Sequence, residues 1–215
     1  HQLHEVIRLS GMNIVINDID VPLIIKVASI PKERIQVYFI DNDEYFARTG
    51  TLFDEENNMY PDNDERCIFF AKGIVETVKK LNWLPDIIHI HGWVSALLPL
   101  YLRTYYKDEP IFSESKIITS VFDSDYEGAL DASLINKVAF DGISKKTIDP
   151  LKNPTYYNLM RIAIKHSDGV IVVSEDMPED FKTYLKNLRK PVIYNSDKET
   201  FQDSYRDFYT KILKK

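Results

Sequence analysis

The chain has 215 residues, 44% of them hydrophobic and 28% charged, which suits a single globular domain with a sizeable core. Its net charge is −6, from 27 basic and 33 acidic residues, and no basic block stands out, which argues against a nucleic-acid partner. No apolar run approaches the roughly 20 residues of a membrane-spanning helix, and a lone cysteine, Cys67, excludes an internal disulfide.

The cysteine usage fits a reducing compartment and no signal peptide is visible, so the cytoplasm is the default expectation. The chain opens His1-Gln2 without a methionine, which points to a segment upstream of this numbering. Four β-branched or alternating runs come first: Glu5 to Leu9, Met12 to Ile16, Pro22 to Ala28 and Ile35 to Ile40. Polar breaks at Ser10-Gly11, Asn17 to Asp20 and Pro31 to Arg34 separate them, the pattern of an antiparallel meander or hairpins. Asp41 to Asn63 reads as loop with a short helix.

From Asp62 helices alternate with short apolar runs. Asp62 and Glu65 form a capping-box-like start. Cys67, Phe70, Ile74, Val78 and Leu81 then recur at helical spacing, and Lys79-Lys80 suit a last turn. Asp86 to Ile90 is a strand, and a helix runs on to about Tyr105 if Pro99 lies in its first turn. Lys116 to Phe122 is the next strand. An Asp-rich loop, a helix near Leu134 to Phe140 and a basic linker from Ser144 to Asn153 follow. Helix Thr155 to Lys165, strand Gly169 to Val173, helix Pro178 to Asn187, strand Pro191 to Tyr194 and helix Thr200 to Leu213 complete the order. Strands separated by helices call for parallel pairing with right-handed crossovers. The expected architecture is α/β: a Rossmann-like, open, mainly parallel sheet with helices on both faces and a β-hairpin excursion near the N-terminus, all in one domain, 1–215.

Ligands of open α/β sheets bind beyond the carboxyl ends of the strands. His91-Gly92-Trp93, Phe122 to Gly128 and Ser174-Glu175 should reach that edge. Gly92 allows a sharp turn from strand to helix. His89 and His91, two apart on a strand, point to one side and raise the question of a metal. A metal site needs further ligands. His1, His4 and His166 are poorly placed, Asp123 or Asp125 would have to reach across, and packing is the favoured explanation of the pair. No G-x-S-x-G, G-x-G-x-x-G or P-loop occurs, and Cys67 lies in a helix-periodic stretch that suits a buried, inert thiol. Asp123-Ser124-Asp125 reads as a solvated turn, and Asp62-Asn63-Asp64-Glu65 as helix capping.

Three stretches carry a family resemblance: VYFIDNDEYFARTG from Val37, YPDNDERCIFFAKGIVETVKKLNWLPDIIHIHGWVSALLPLYL from Tyr60, and YEG from Tyr126 to Gly128. They resemble the N-terminal half of bacterial glycogen and plant starch synthases, the retaining glucosyltransferases of family 5, with SDGVIVVSE a weaker match. The resemblance implies one half of a two-domain GT-B fold, ADP-glucose as a ligand, an α-glucan as partner and a second glycosyltransferase domain or subunit. It implies no other cofactor. The family's K-T-G-G-L loop would fall upstream of His1, and its second domain would begin where this chain ends. His89, His91 and Trp93 match the family's H-x-H-D-W, but Gly92 stands in place of its aspartate. In the family's T-(I/V)-H-N-L-x-Y-Q-G, Phe122 stands in place of the histidine, Asp123 of the asparagine and Glu127 of the glutamine. The edge candidates are therefore His91, Gly92, Trp93, Phe122, Asp123, Tyr126, Glu127 and Gly128, with no confident catalytic residue. Aromatic stacking on sugars is one expectation for Trp93, Phe122 and Tyr126, and core packing is the other. The functional expectation is a synthase-like module without independent transferase activity, against an active synthase component completed elsewhere or a metal-dependent enzyme using His89 and His91.

Overall fold

A computed structural model describes residues 4–30, 32–174, 176–194 and 201–214. Pro31, Glu175, His1 and Thr200, each part of a reading above, lie outside the described residues. Two sheets form. The first is antiparallel, with β1 (His4–Ile16), β2 (Ile19–Ile30) and β3 (Ile35–Asp41) in that order. The second is parallel, with β4 (Ile87–Ile90), β5 (Lys116–Val121), β6 (Gly169–Val172) and β7 (Val192–Tyr194) in chain order.

The Ser10-Gly11 break does not end a strand. β1 runs through it, and the pairing with β2 shifts register between Arg8 and Ser10. A bulge absorbs an irregular residue that would otherwise interrupt the ladder. The excursion is accordingly a three-stranded sheet. Along β2, Val21, Leu23 and Ile25 are buried while alternate residues are not, so one face of that sheet packs inward.

Five helices that follow build the layer on one side of the parallel sheet and its ends. The short α1 (Asp43–Phe46) is capped by Asn42, whose side chain accepts from the Tyr45 N–H. α2 (Asn63–Lys80) carries Cys67, Ile68, Ala71 and Val75 on its buried face. Its expected cap fails: Asp62 makes no capping bond and instead pairs with Arg48 at 2.8 Å. The neighbouring polar residues do other work, for Asp64 is fully buried against Lys137 at 2.6 Å and Glu65 accepts from the Tyr45 hydroxyl. The helix after β4 is shorter than its periodicity suggests. It opens as a 3-10 turn, Trp93–Ser95, and is α-helical only in α3 (Leu98–Arg103), with Pro99 in the first turn. α4 (Leu134–Phe140) and α5 (Tyr156–Lys165) agree with the sequence, the latter capped by Thr155. The basic linker contains a 3-10 turn, Asp149–Lys152.

Alternation along the central strands assigns their two faces. Ile90, Ile117, Val121, Val170 and Val172 join the main core with α2, α3 and α5. Ile118 and Ile171 face the other way, against Phe208 and Ile212 of α7 (Phe201–Leu213). α6 (Glu179–Lys186) buries Phe181 and Leu185 between β6 and β7 in the chain order. Among the described residues β3 pairs only with β2 and β4 only with β5, so each presents one unpaired edge.

Candidate functional site

Parallel pairing in register brings the carboxyl ends of β4, β5 and β6 side by side. Residues 91–93, 122–128 and 173–174 leave the strands at that edge, as the sequence suggests, with Glu175 outside the described residues.

His89 and His91 do point to one side, with ring centroids 4.1 Å apart. His89 is saturated: Nδ1 lies 2.6 Å from the Tyr209 hydroxyl of α7 and Nε2 lies 2.7 Å from Ser120 Oγ. Burial, and then the neighbouring His91, push its pKa down to about 3, so the ring is neutral. With both nitrogens engaged it has no lone pair to offer a metal, and no group of three or more ligating side chains occurs among the described residues. His91, also held down by burial, packs at 5.8 Å from the Phe122 ring. His166 lies at the far end of α5, away from this edge.

Gly92 makes the corner. Its φ of 73° and ψ of 171° belong to a region that essentially only glycine occupies. The chain then turns into Trp93–Ser95, where Ser95 Oγ donates to the His91 carbonyl at 2.6 Å. Trp93 is only 7% exposed, and its carbonyl accepts from the buried Cys67 thiol at 3.7 Å. Beneath it lies Arg66, 3% exposed, with its guanidinium 5.9 Å from the Trp93 ring and 5.3 Å from Phe46. Tyr126, 5% exposed, meets Trp93 edge-to-face at 6.4 Å and donates to the Pro154 carbonyl at 3.1 Å. Both rings are packed at this level, Trp93 within the core and Tyr126 with part of its surface on the cavity described below.

The polar groups at the edge come from the loop after β5. Asp123 accepts from Ser174 Oγ, joining the ends of β5 and β6. Asp125 Oδ2 accepts from the Trp93 N–H at 3.2 Å, and partial burial raises its carboxyl, opposed by that same N–H. Glu127 and Gly128 border a cavity of about 470 Å³, walled also by Ser124, Tyr156, Tyr157 and Arg161. Thr155 to Arg161 escaped the sequence reading as site residues. The Tyr156-Tyr157 pair after Pro154-Thr155 is the available signal, since it places two rings at a helix start bordering this cavity. Tyr209 was missed too, because nothing in the periodicity of α7 says which strand it covers.

A family model described as the starch synthase catalytic domain matches residues 1–190. Glycogen synthase of Chlorobium limicola is 34% identical over 174 residues, which is 80% of this chain and 35% of that protein. Glycogen synthase of Chlorobaculum parvum is 33% identical over 178 residues, with the same two shares, and that of Geotalea uraniireducens is 34% identical over 157 residues, 73% of this chain and 31% of its own. The chain thus spans about a third of the length of the relatives it matches. Among solved structures, the catalytic domain of starch synthase IV from Arabidopsis thaliana, bound to ADP and acarbose, superposes with a TM-score of 0.69 at 16% identity, covering 91% of this chain and 41% of that one. The open α/β sheet, the matched residues and the fold likeness agree: the chain belongs to the starch synthase catalytic domain family.

Proposed function

We propose that these 215 residues act in glucan metabolism as a glycogen-synthase-like module that binds sugar without transferring it. The observation that carries this reading is Phe122. Its ring packs on His91 at the carboxyl end of β5, where an apolar group can neither donate to a reacting sugar nor hold a developing charge. Gly92 offers no side chain at the adjoining corner. The edge itself keeps acceptors suited to hydroxyl groups, namely Asp123, Asp125 and Glu127, above a buried aromatic frame. Stabilising the departing diphosphate is usually the largest catalytic contribution, and among the described residues the cation that lines the edge cavity, Arg161, is already paired with Asp180 at 2.8 Å. The lone cysteine fits a module of the reducing cytoplasm.

The test is to incubate the chain with ADP-glucose and glycogen and follow ADP release, with binding of maltoheptaose measured in parallel. Binding without turnover is expected, and sustained ADP release by the chain alone would sink the reading. A second reading draws on length: a chain spanning 35% of its glycogen synthase relative could be the first domain of an active ADP-glucose-dependent enzyme completed by a second polypeptide. Turnover that emerges only when a glycogen synthase second domain is added would favour it.

A further inference from the structure

We propose that Asp125 is the carboxylate with which this edge binds a glucosyl unit, accepting hydrogen bonds from its hydroxyl groups. The inference rests on the sugar-binding reading and assigns the residue that reading lacks.

Gly92 forms the corner beside this loop. Its backbone lies where an L side chain is strained, so the corner cannot carry an acid of its own without moving. The space beyond it is open. A Cβ built on Gly92 would meet only one atom within 4 Å, Asp125 Oδ2 at 3.8 Å. A carboxylate thus stands beside the place where a side chain at 92 would begin, but it arrives from the neighbouring strand's loop. The residue before Tyr126 is unspecified in the sequence pattern that the chain resembles, so nothing in that pattern demands an acid there.

Asp125 is also held in a defined orientation. Oδ2 accepts from the Trp93 N–H, and Trp93 is itself locked by Tyr126, Arg66 and the Cys67 thiol. Oδ1 has no hydrogen-bond partner among the described residues. One oxygen tethered and one unengaged is the geometry of a preorganised acceptor. Asp123 and Glu127 on the same loop make the surroundings acidic, which disfavours a phosphate and favours neutral hydroxyls as the donors. Glucosyl hydroxyls occur both in an α-1,4-glucan and in a sugar nucleotide, so the two sources are tested separately.

The experiment titrates the wild type, Asp125→Asn and Asp125→Glu with maltoheptaose, and in a second arm with ADP-glucose, by isothermal calorimetry, with thermal midpoints recorded for each. Asparagine can still accept from the Trp93 N–H, so Asp125→Asn should keep its thermal midpoint yet bind roughly tenfold more weakly through loss of the charge. Asp125→Glu keeps the charge and should remain within about threefold of the wild type. The arm that responds identifies the source of the glucosyl unit. Asp125→Asn binding as tightly as the wild type would reduce Asp125 to a cap on Trp93 and overturn the proposal, as would Asp125→Glu binding as weakly as Asp125→Asn. A wild type that binds neither compound overturns the sugar-binding reading itself, and this inference with it.

Discussion

His89 is neutral because burial, and then the neighbouring His91, disfavour its charged form, while Tyr209 and Ser120 engage both ring nitrogens. Its pKa of about 3 lies below the usual 6.5, so unfolding below pH 6.5 lets the ring take up a proton that the folded chain refuses. The stability due to this group is therefore complete above pH 6.5 and is lost progressively as pH falls toward 3. His91 and His166 are shifted the same way by burial and add to the same acid sensitivity. Replacing His89 with Gln should make stability fall less steeply between pH 6 and 4, by up to about 1.4 kcal/mol per pH unit. Urea unfolding at several pH values reads this directly, and parallel curves for the two proteins would refute it. The pairing of the two histidines was visible in their spacing, since alternation on a strand follows from the sequence. The partners of His89 were not, because they come from 31 and 120 residues away. Gly92 and Phe122 were legible as departures from a motif, whereas the bond from Trp93 to Asp125 needed the loop's path.

At the scale of elements, α7 closes the second face of the parallel sheet through a small number of close approaches. Gly169 at the start of β6 is one of them: a Cβ there would come within 2.9 Å of the Phe208 ring and 3.0 Å of Ile212. Gly169→Ala should push α7 off the sheet and cost about 1–3 kcal/mol, the usual range for an overpacked core. Faster proteolytic release of residues 201–214 together with a lowered thermal midpoint would be the signature, and unchanged protection would contradict it. Most helices were readable from apolar spacing, α2 and α5 above all. The helix after β4 was overestimated because its apolar residues continue through the 3-10 turn, where burial under α2 rather than α-helical pairing keeps them inside. The cap at Asp62 was misread for a related reason: Arg48, 14 residues earlier, competes for the carboxylate.

At the scale of the whole molecule, the antiparallel sheet, α2 and the end of α4 meet at Lys72. Its ammonium donates to the Val15 carbonyl of β1 at 2.8 Å and pairs with Asp141 at 2.6 Å, and both side chains are at most 6% exposed. Asp141 also accepts from Tyr101 of α3 at 2.6 Å. Lys72→Met leaves that buried carboxylate without its cation and should cost about 3–5 kcal/mol, read as a drop in the urea midpoint. Restoring part of the loss with a second change, Asp141→Asn, would confirm that the stranded charge is the cause. No sequence pattern reveals a contact between residues 69 positions apart. The alternation of strands and helices did reveal the α/β class, because its period is local and its chirality rule general.

The unpaired edges of β3 and β4 carry a further consequence. Trp83 stands between them, 56% exposed, lining a cavity along β3 with Ile35 and Tyr38 and another under β4 with Ile87 and Ile88. Bare backbone donors and acceptors next to apolar walls are a template for any passing strand. The expected outcome is strand-to-strand association between copies as concentration rises, read by light scattering across a dilution series, and a mass that stays monomeric throughout would contradict it.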